Sequence, residues 1–302
     1  MSEQHDAGLR ADLIEIERIR LGRRRALGLI GAGGGALVLA GCGGSEASAT
    51  SDSNVTVSDS GTAASGSGSG TGTTGSTATG SSSGSCTAFA SETNGPYPAD
   101  GTNSSRGLSS NVLVESGVVR SDIRSSFLGG STTVAEGIEL TITLRLADVN
   151  DSCGALEGYA VYLWHCDVEG DYSLYDQPNE SWLRGVQVAD ENGEVTFTTI
   201  WPGCYNGRFP HIHFEVYSSI DNATSGRYAV LISQIAMPDD ANQTVYATQA
   251  YASSQSNYAG ESIGGDNVFG DNTTDQMEAM TASASGSVTA GFTAEVTVGI
   301  AT

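Results

Sequence analysis

From Cys86 onward the chain predicts an all-β fold, a β-sandwich or partly closed barrel, and three observations carry that reading. Alternating or β-rich runs recur at 139–146 (ELTITLRL), 159–164 (YAVYLW), 194–200 (EVTFTTI), 211–217 (HIHFEVY), 228–235 (YAVLISQI) and 292–300 (FTAEVTVGI). Turn residues separate them, as in Asp190-Glu191-Asn192-Gly193 ahead of one run. A helical period shows only weakly, at 274–281, so the strand–helix alternation of a parallel α/β sheet is missing. One such domain fits in 86–302, and no repeat occurs at solenoid spacing.

What precedes residue 86 reads as a leader and a spacer. Residues 1–22 are polar with a short amphipathic run. Arg23-Arg24-Arg25 follows, then a Gly/Ala/Leu-rich apolar segment at 26–41. That segment is too short for a confident membrane span and suits a signal-peptide core. Paired arginines before a weak apolar core resemble a twin-arginine signal, and Leu39-Ala40-Gly41-Cys42 resembles a bacterial lipobox whose cysteine is lipidated. Residues 1–42 are therefore expected to be an export signal ending at Cys42. The protein is then expected to be a cell-envelope lipoprotein, on the outer side of the cytoplasmic membrane or in the outer membrane, touching the membrane only through that lipid. Residues 43–85, almost wholly Ser, Gly, Thr, Ala and Asp, cannot bury enough apolar surface to offset chain entropy and predict a disordered tether. Its root-mean-square reach would be about 33–39 Å.

Acidic residues outnumber basic ones 35 to 13, the basic ones are all arginine, and the formal net charge is −22. Phosphate backbones would be repelled, which excludes nucleic acid as a partner. Of five cysteines, Cys42 belongs to the lipobox. Cys86, Cys153, Cys166 and Cys204 remain and could form two disulfides in an oxidising compartment, with three pairings open.

The chemistry concentrates in 201–217, WPGCYNGRFPHIHFEVY. Two of only four histidines, His211 and His213, stand one residue apart on a predicted strand. Residues i and i+2 share a face, so both imidazoles can reach one ion while Ile212 and Phe214 face an apolar side. His165, beside Trp164, reads as structural, and His5 falls in the leader. Asp167, Glu169 and Asp171 suggest a calcium loop, but Gly170 is out of phase and no closing glutamate follows, so they read as solvated.

Upstream, Gly170-Asp171-Tyr172-Ser173 resembles the G-x-Y-S element of intradiol ring-cleavage dioxygenases, and Trp182-Leu183-Arg184-Gly185-Val186-Gln187 resembles the strand start that follows it in that family. Pro202-Gly203-x-Tyr205-x-Gly207-Arg208-x-x-His211-Ile212-His213-Phe214 resembles the second tyrosine, arginine and paired histidines, in order. Thr93-Asn94-Gly95-Pro96-Tyr97 is similar to an N-terminal element bordering the substrate, and Gln234 to a glutamine supporting the arginine. The resemblance runs from about Cys86 to the last residues. It implies the intradiol dioxygenase type of β-sandwich, and one Fe(III) per domain held by Tyr172, Tyr205, His211 and His213. It also implies a catechol-type substrate bordered by Gly95, Pro96, Tyr97 and Gln234, O2 as second substrate, and a muconate-type diacid as product. Tyr205 would leave the metal as the diphenol binds, and Arg208 would stabilise negative charge on the ring. Tyr175 competes with Tyr172 for the ligand role, and G-x-Y-S favours Tyr172.

The donor set matches that chemistry. A phenol with a pKa near 10 ligates as tyrosinate only beside a strongly Lewis-acidic ion. Two tyrosinates, two neutral histidines and one hydroxide cancel the charge of Fe(III), which favours a low-dielectric pocket. Cys204 and Cys166 depart from the family pattern; as a disulfide either could brace the iron site, and as a free thiol could instead perturb the iron. Relatives often associate, so a homo-oligomer is compatible with the sequence. The competing expectations are a catalytically silent surface binding module on the same sandwich, and a Cu or Zn site using the histidine pair with Cys204.

Overall fold

The computed structural model describes residues 86–105 and 108–302. The expected signal and tether, with Cys42, lie outside the described residues. Among the described residues eleven strands follow one another: β1 (Asp100–Ser105), β2 (Leu108–Asn111), β3 (Glu139–Asp148), β4 (Gly154–Ala155), β5 (Ala160–Trp164), β6 (Arg184–Val188), β7 (Glu194–Ile200), β8 (His211–Tyr217), β9 (Leu231–Ala236), β10 (Ser283–Ser287) and β11 (Gly291–Ile300). Three short helices, α1 (Asp239–Tyr246), α2 (Ala252–Tyr258) and α3 (Thr274–Met280), lie between β9 and β10.

One sheet runs β10-β11-β3, with β7 on the other edge of β3 and β4 against its end; the second runs β6-β5-β8-β9. β3 shows how sequence sets the layer. Leu140, Ile142, Leu144 and Leu146 are buried, while Glu139 and Arg145 on the alternate face are exposed. β7 pairs with it antiparallel, Ile142 opposite Phe197, and β11 pairs with it parallel, Val296 opposite Leu144. Ahead of β7, Asp190 accepts hydrogen bonds from the backbone N–H of Asn192 and Glu194, and Gly193 supplies the left-handed φ of +75° that the turn requires.

The main core forms between the sheets. Ile142, Leu144, Phe197, Val296 and Val298 come from one, and Val161, Leu163, Ile212, Phe214 and Ile235 from the other. The second sheet is covered on its outer face as well, which is why β5 and β8 are buried at every position. Tyr162, Trp164 and Tyr217 there pack with Ala99, Val112, Tyr172, Tyr175 and Tyr205 in a second cluster. The arrangement is a sandwich of open sheets, and among the described residues no barrel closes.

The expected runs all appear as strands, except that 226–228 turns as a 3-10 segment and β9 begins at Leu231. The alternatives left open for the cysteines are resolved. Cys86 and Cys153 form a disulfide, whereas Cys166 and Cys204 are free thiols, both buried. Burial pushes the Cys166 thiol well up and Cys204 up to about 12, so both stay protonated.

Candidate metal and substrate site

β8 sends His211, His213, Glu215 and Tyr217 to its outer face and Ile212, Phe214 and Val216 into the main core. His213 lies opposite Trp164 of β5 and stacks on its indole at 4.9 Å between ring centroids and 6° between planes. The Nδ1 of His211 lies 2.6 Å from the Phe209 carbonyl oxygen, a contact that requires Nδ1–H and leaves the Nε2 lone pair outward. Burial, then the Arg208 charge, lowers the His211 pKa to about 3; burial and then His211 lower that of His213 well below the usual value. Both imidazoles are therefore neutral at pH 7, the state in which they ligate metals.

Two loops bring the phenols. In the first, the Asp167 carboxylate accepts hydrogen bonds from the backbone N–H of Glu169 and Asp171 and so shapes the turn before Tyr172. Asp167 is only partly exposed, and burial pushes its carboxyl up to about 7, which corrects its reading as simply solvated. Gly170 has φ +89°, and a Cβ there would stand 3.0 Å from that of Tyr205, so the two tyrosine loops meet where only glycine fits. In the second loop, a Cβ on Gly203 would stand 2.1 Å from the Asp167 carbonyl oxygen. α2 pins both loops. Ser254 Oγ receives the Cys204 N–H and donates to the Val168 carbonyl, and Asn257 donates to the Cys204 carbonyl.

The structure thus brings Tyr172, Tyr205, His211 and His213 together. Tyr205 Oη is 3.2 Å from His211 Nε2, which is 3.1 Å from His213 Nε2. Donor atoms about 2.1 Å from one ion and at right angles to each other are about 3 Å apart, so this spacing fits a shared metal. The Tyr172 ring stands edge-on to those of Tyr205 and His213, with centroids 6.0 and 6.1 Å away. Tyr175 turns elsewhere: its hydroxyl accepts the Ala99 N–H and donates to Asn103.

Arg208 and Gln234 join the same cluster. The Arg208 Nη1 lies 3.5 Å from Tyr205 Oη, and Nη2 donates to Gln234 Oε1 at 2.6 Å. Gln234 in turn donates to the Thr93 carbonyl, which ties the arginine to the Thr93–Tyr97 strap. In that strap Gly95 has φ +71°, the Pro96 carbonyl accepts from Asn103, and the Tyr97 ring packs at 5.1 Å from Tyr172 and 4.8 Å from Tyr175. His165 is structural, its ring nitrogens bonded to the Cys166 carbonyl and the Thr199 hydroxyl.

Three contributors had gone unrecognised. Asp266 pairs with Arg208, Nε to Oδ2 at 2.9 Å, with both side chains essentially fully buried. Its carboxyl is pulled below the usual range because Arg208 and the backbone donors outweigh burial. Arg184, quoted above only as part of a strand start, spends its guanidinium on Ser173, Tyr162 and the carbonyls of Tyr97, Pro98 and Ser173. It fastens the strap to the Tyr172 loop. The third is the α2 clamp. Sequence offered no signal for Asp266 or α2, since both act across long chain separations. Cys204 directs its Sγ to the carbonyls of Tyr205 and Arg208, and among the described residues no group of three or more His, Cys, Asp or Glu is placed to hold a metal. The direction of the Cys204 Sγ counts against a Cu or Zn site built with that thiol.

A family model described as "Dioxygenase" matches residues 129–261. Among solved structures, an intradiol ring-cleavage dioxygenase from Tetranychus urticae is similar with 25% identity and a TM-score of 0.54, covering 72% of this chain and 95% of its own. The dioxygenase Tetur07g02040 is similar at 25% identity and a TM-score of 0.53, with the same coverage. Taken with the sandwich and the tyrosine–histidine cluster on its second sheet, these likenesses identify residues 129–261 as a match to the dioxygenase family and the fold as similar to that of intradiol ring-cleavage dioxygenases.

Proposed function

We propose that this dioxygenase uses Fe(III) held by Tyr172, Tyr205, His211 and His213 to open a catechol-type ring between its two hydroxylated carbons, giving a muconate-type diacid. The observation that carries the reading is the convergence of Tyr205 Oη and the two Nε2 atoms at 3.1–3.2 Å, with the Tyr172 ring against them. A donor set of two phenols and two neutral imidazoles without a carboxylate suits ferric iron better than zinc or ferrous iron. Bound there, the ion supplies Lewis acidity toward a chelating catecholate and a route for electrons between ring and O2.

The chain's own groups do the rest. Tyr205 Oη, close to both His211 Nε2 and Arg208 Nη1, is placed to take a proton from the incoming diphenol. Arg208 donates toward the oxygen on which negative charge collects, in a setting where such a donor acts strongly because water is excluded. Tyr97 and the strap from Gly95 to Pro96 form the wall beside Tyr172 against which an aromatic ring can pack. Burial keeps His211 and His213 neutral.

Purified from iron-replete cells, the protein should carry iron and a visible tyrosinate-to-iron absorption that fades in Tyr172→Phe and Tyr205→Phe. A well-folded protein that stays colourless and iron-free would sink the reading. An oxygen-electrode screen of catechol, hydroxyquinol and protocatechuate then identifies the diphenol. Iron and colour without oxygen uptake on any diphenol would point instead to a silent binding module.

We also propose that the domain is exported and anchored through a lipid on Cys42. The Cys86–Cys153 disulfide supports this, because such bonds persist in oxidising compartments. Labelled fatty acid should enter the full chain and be absent from Cys42→Ala; equal labelling of both would refute the anchor.

A further inference from the structure

We propose that Asp266 is a positioning residue for Arg208, a preformed anion site that fixes the direction in which the guanidinium donates. The inference rests on the function proposed above. Asp266 lies beyond the 129–261 segment that the family model matches, on the turns that follow α2. Its carboxylate accepts the backbone N–H of Phe209 at 2.7 Å, of Val268 at 2.7 Å and of Phe269 at 3.1 Å. Those donors hold the anion in place independently of the arginine.

Arg208 docks onto this site through Nε at 2.9 Å and Nη2 at 3.4 Å, while Gln234 takes Nη2 from the other side at 2.6 Å. With one edge of the planar fork so occupied, Nη1 is turned toward Tyr205 Oη. The pair is close to neutral overall. Arg208 therefore acts as an oriented dipole at the reacting oxygens rather than as a bare cation, and Asp266 sets its aim. The same turn carries Phe269, whose ring lies 6.5 Å from that of His211, so the C-terminal segment is docked directly on the site.

The test uses Asp266→Asn and Asp266→Glu in the full chain, alone and combined with Arg208→Ala. Asparagine keeps the shape and can still accept from the backbone, but it loses the charge and brings a donor toward Arg208. Asp266→Asn should lower kcat and kcat/KM on the best diphenol together, by roughly 30-fold or more, with KM and iron content little changed. Asp266→Glu should recover part of the loss. In the Arg208→Ala background Asp266→Asn should change kcat by less than about twofold, because the two residues act as one unit. Asp266→Asn with kcat within about threefold of wild type overturns the proposal. So does an equal loss in both backgrounds, which is what a merely structural role predicts. Should Asp266→Asn lose iron or fold poorly, the same comparison with Asp266→Glu decides. A wild type lacking iron or oxygen uptake would refute the functional reading instead. Hydrogen exchange of the Arg208 Nε–H by NMR would still test the positioning: slow in wild type and fast in Asp266→Asn supports it, and equal rates overturn it.

Discussion

His165, directly after β5, has both ring nitrogens bonded inside the protein, Nδ1 at 2.8 Å from the Cys166 carbonyl and Nε2 at 2.7 Å from the Thr199 hydroxyl. Burial lowers its pKa to about 4. The unfolded chain takes up that proton near pH 6.5, so the stability from burying a neutral ring is fully present above pH 6.5 and is lost as pH falls toward 4. The slope is about 1.4 kcal/mol per pH unit for one such group. Urea unfolding at pH 7.5 and pH 5 should show wild type losing more stability than His165→Gln, by an amount on that order; equal losses would contradict it. His211 and His213 titrate in the same direction and remain in both proteins. At this scale the sequence was most informative where partners are close in the chain. His211 and His213 share a face by the two-residue period, and Tyr205 and Arg208 lie within six residues of His211. Asp266 was illegible because 58 residues separate it from Arg208 and its surroundings, Gly, Ser and Asn, read as ordinary turn material.

Strands with one apolar face declared themselves; the rest did not. β3, β7 and β11 alternate, and β8 pairs an apolar set with a chemical one, so all four stand close to where the pattern put them. β10 (SASGS) and β1 (DGTNSS) carry no such signal, and pairing with a neighbour defines them. α1 and α2 escaped for a related reason. Each is only two turns long and largely polar, and α2 is held by its contacts with the Val168 and Cys204 segments rather than by an apolar stripe. Element boundaries were least legible at β9, where the β-rich run begins before the chain leaves its turn.

Across the whole molecule, the Cys86–Cys153 bond ties the start of the described chain to the turn between β3 and β4, two points 67 positions apart in sequence. Closing a loop of that length removes enough unfolded-state entropy to stabilise the fold by about 4 kcal/mol. Mild reduction should lower the stability measured by denaturant unfolding by that order, while Cys166 and Cys204 stay unmodified by an alkylating reagent in the native protein. Rapid alkylation of either, or unchanged stability, would contradict this picture. Pairing could not be chosen from sequence because four thiols leave three combinations and only the fold brings two of them together.

The parallel pairing of β11 with β3 bears on how the chain is made. β3 leaves the ribosome roughly 150 residues before the strand that completes one of its edges, a wait of about 8–30 s at ordinary rates of synthesis. β7 arrives sooner and covers the other edge. Until β11 emerges, a ten-residue strand rich in leucine and isoleucine presents a row of unpaired amides and carbonyls, the kind of edge that recruits stray chains. How long that edge stays open is set by the pace of synthesis across the intervening residues rather than by folding speed.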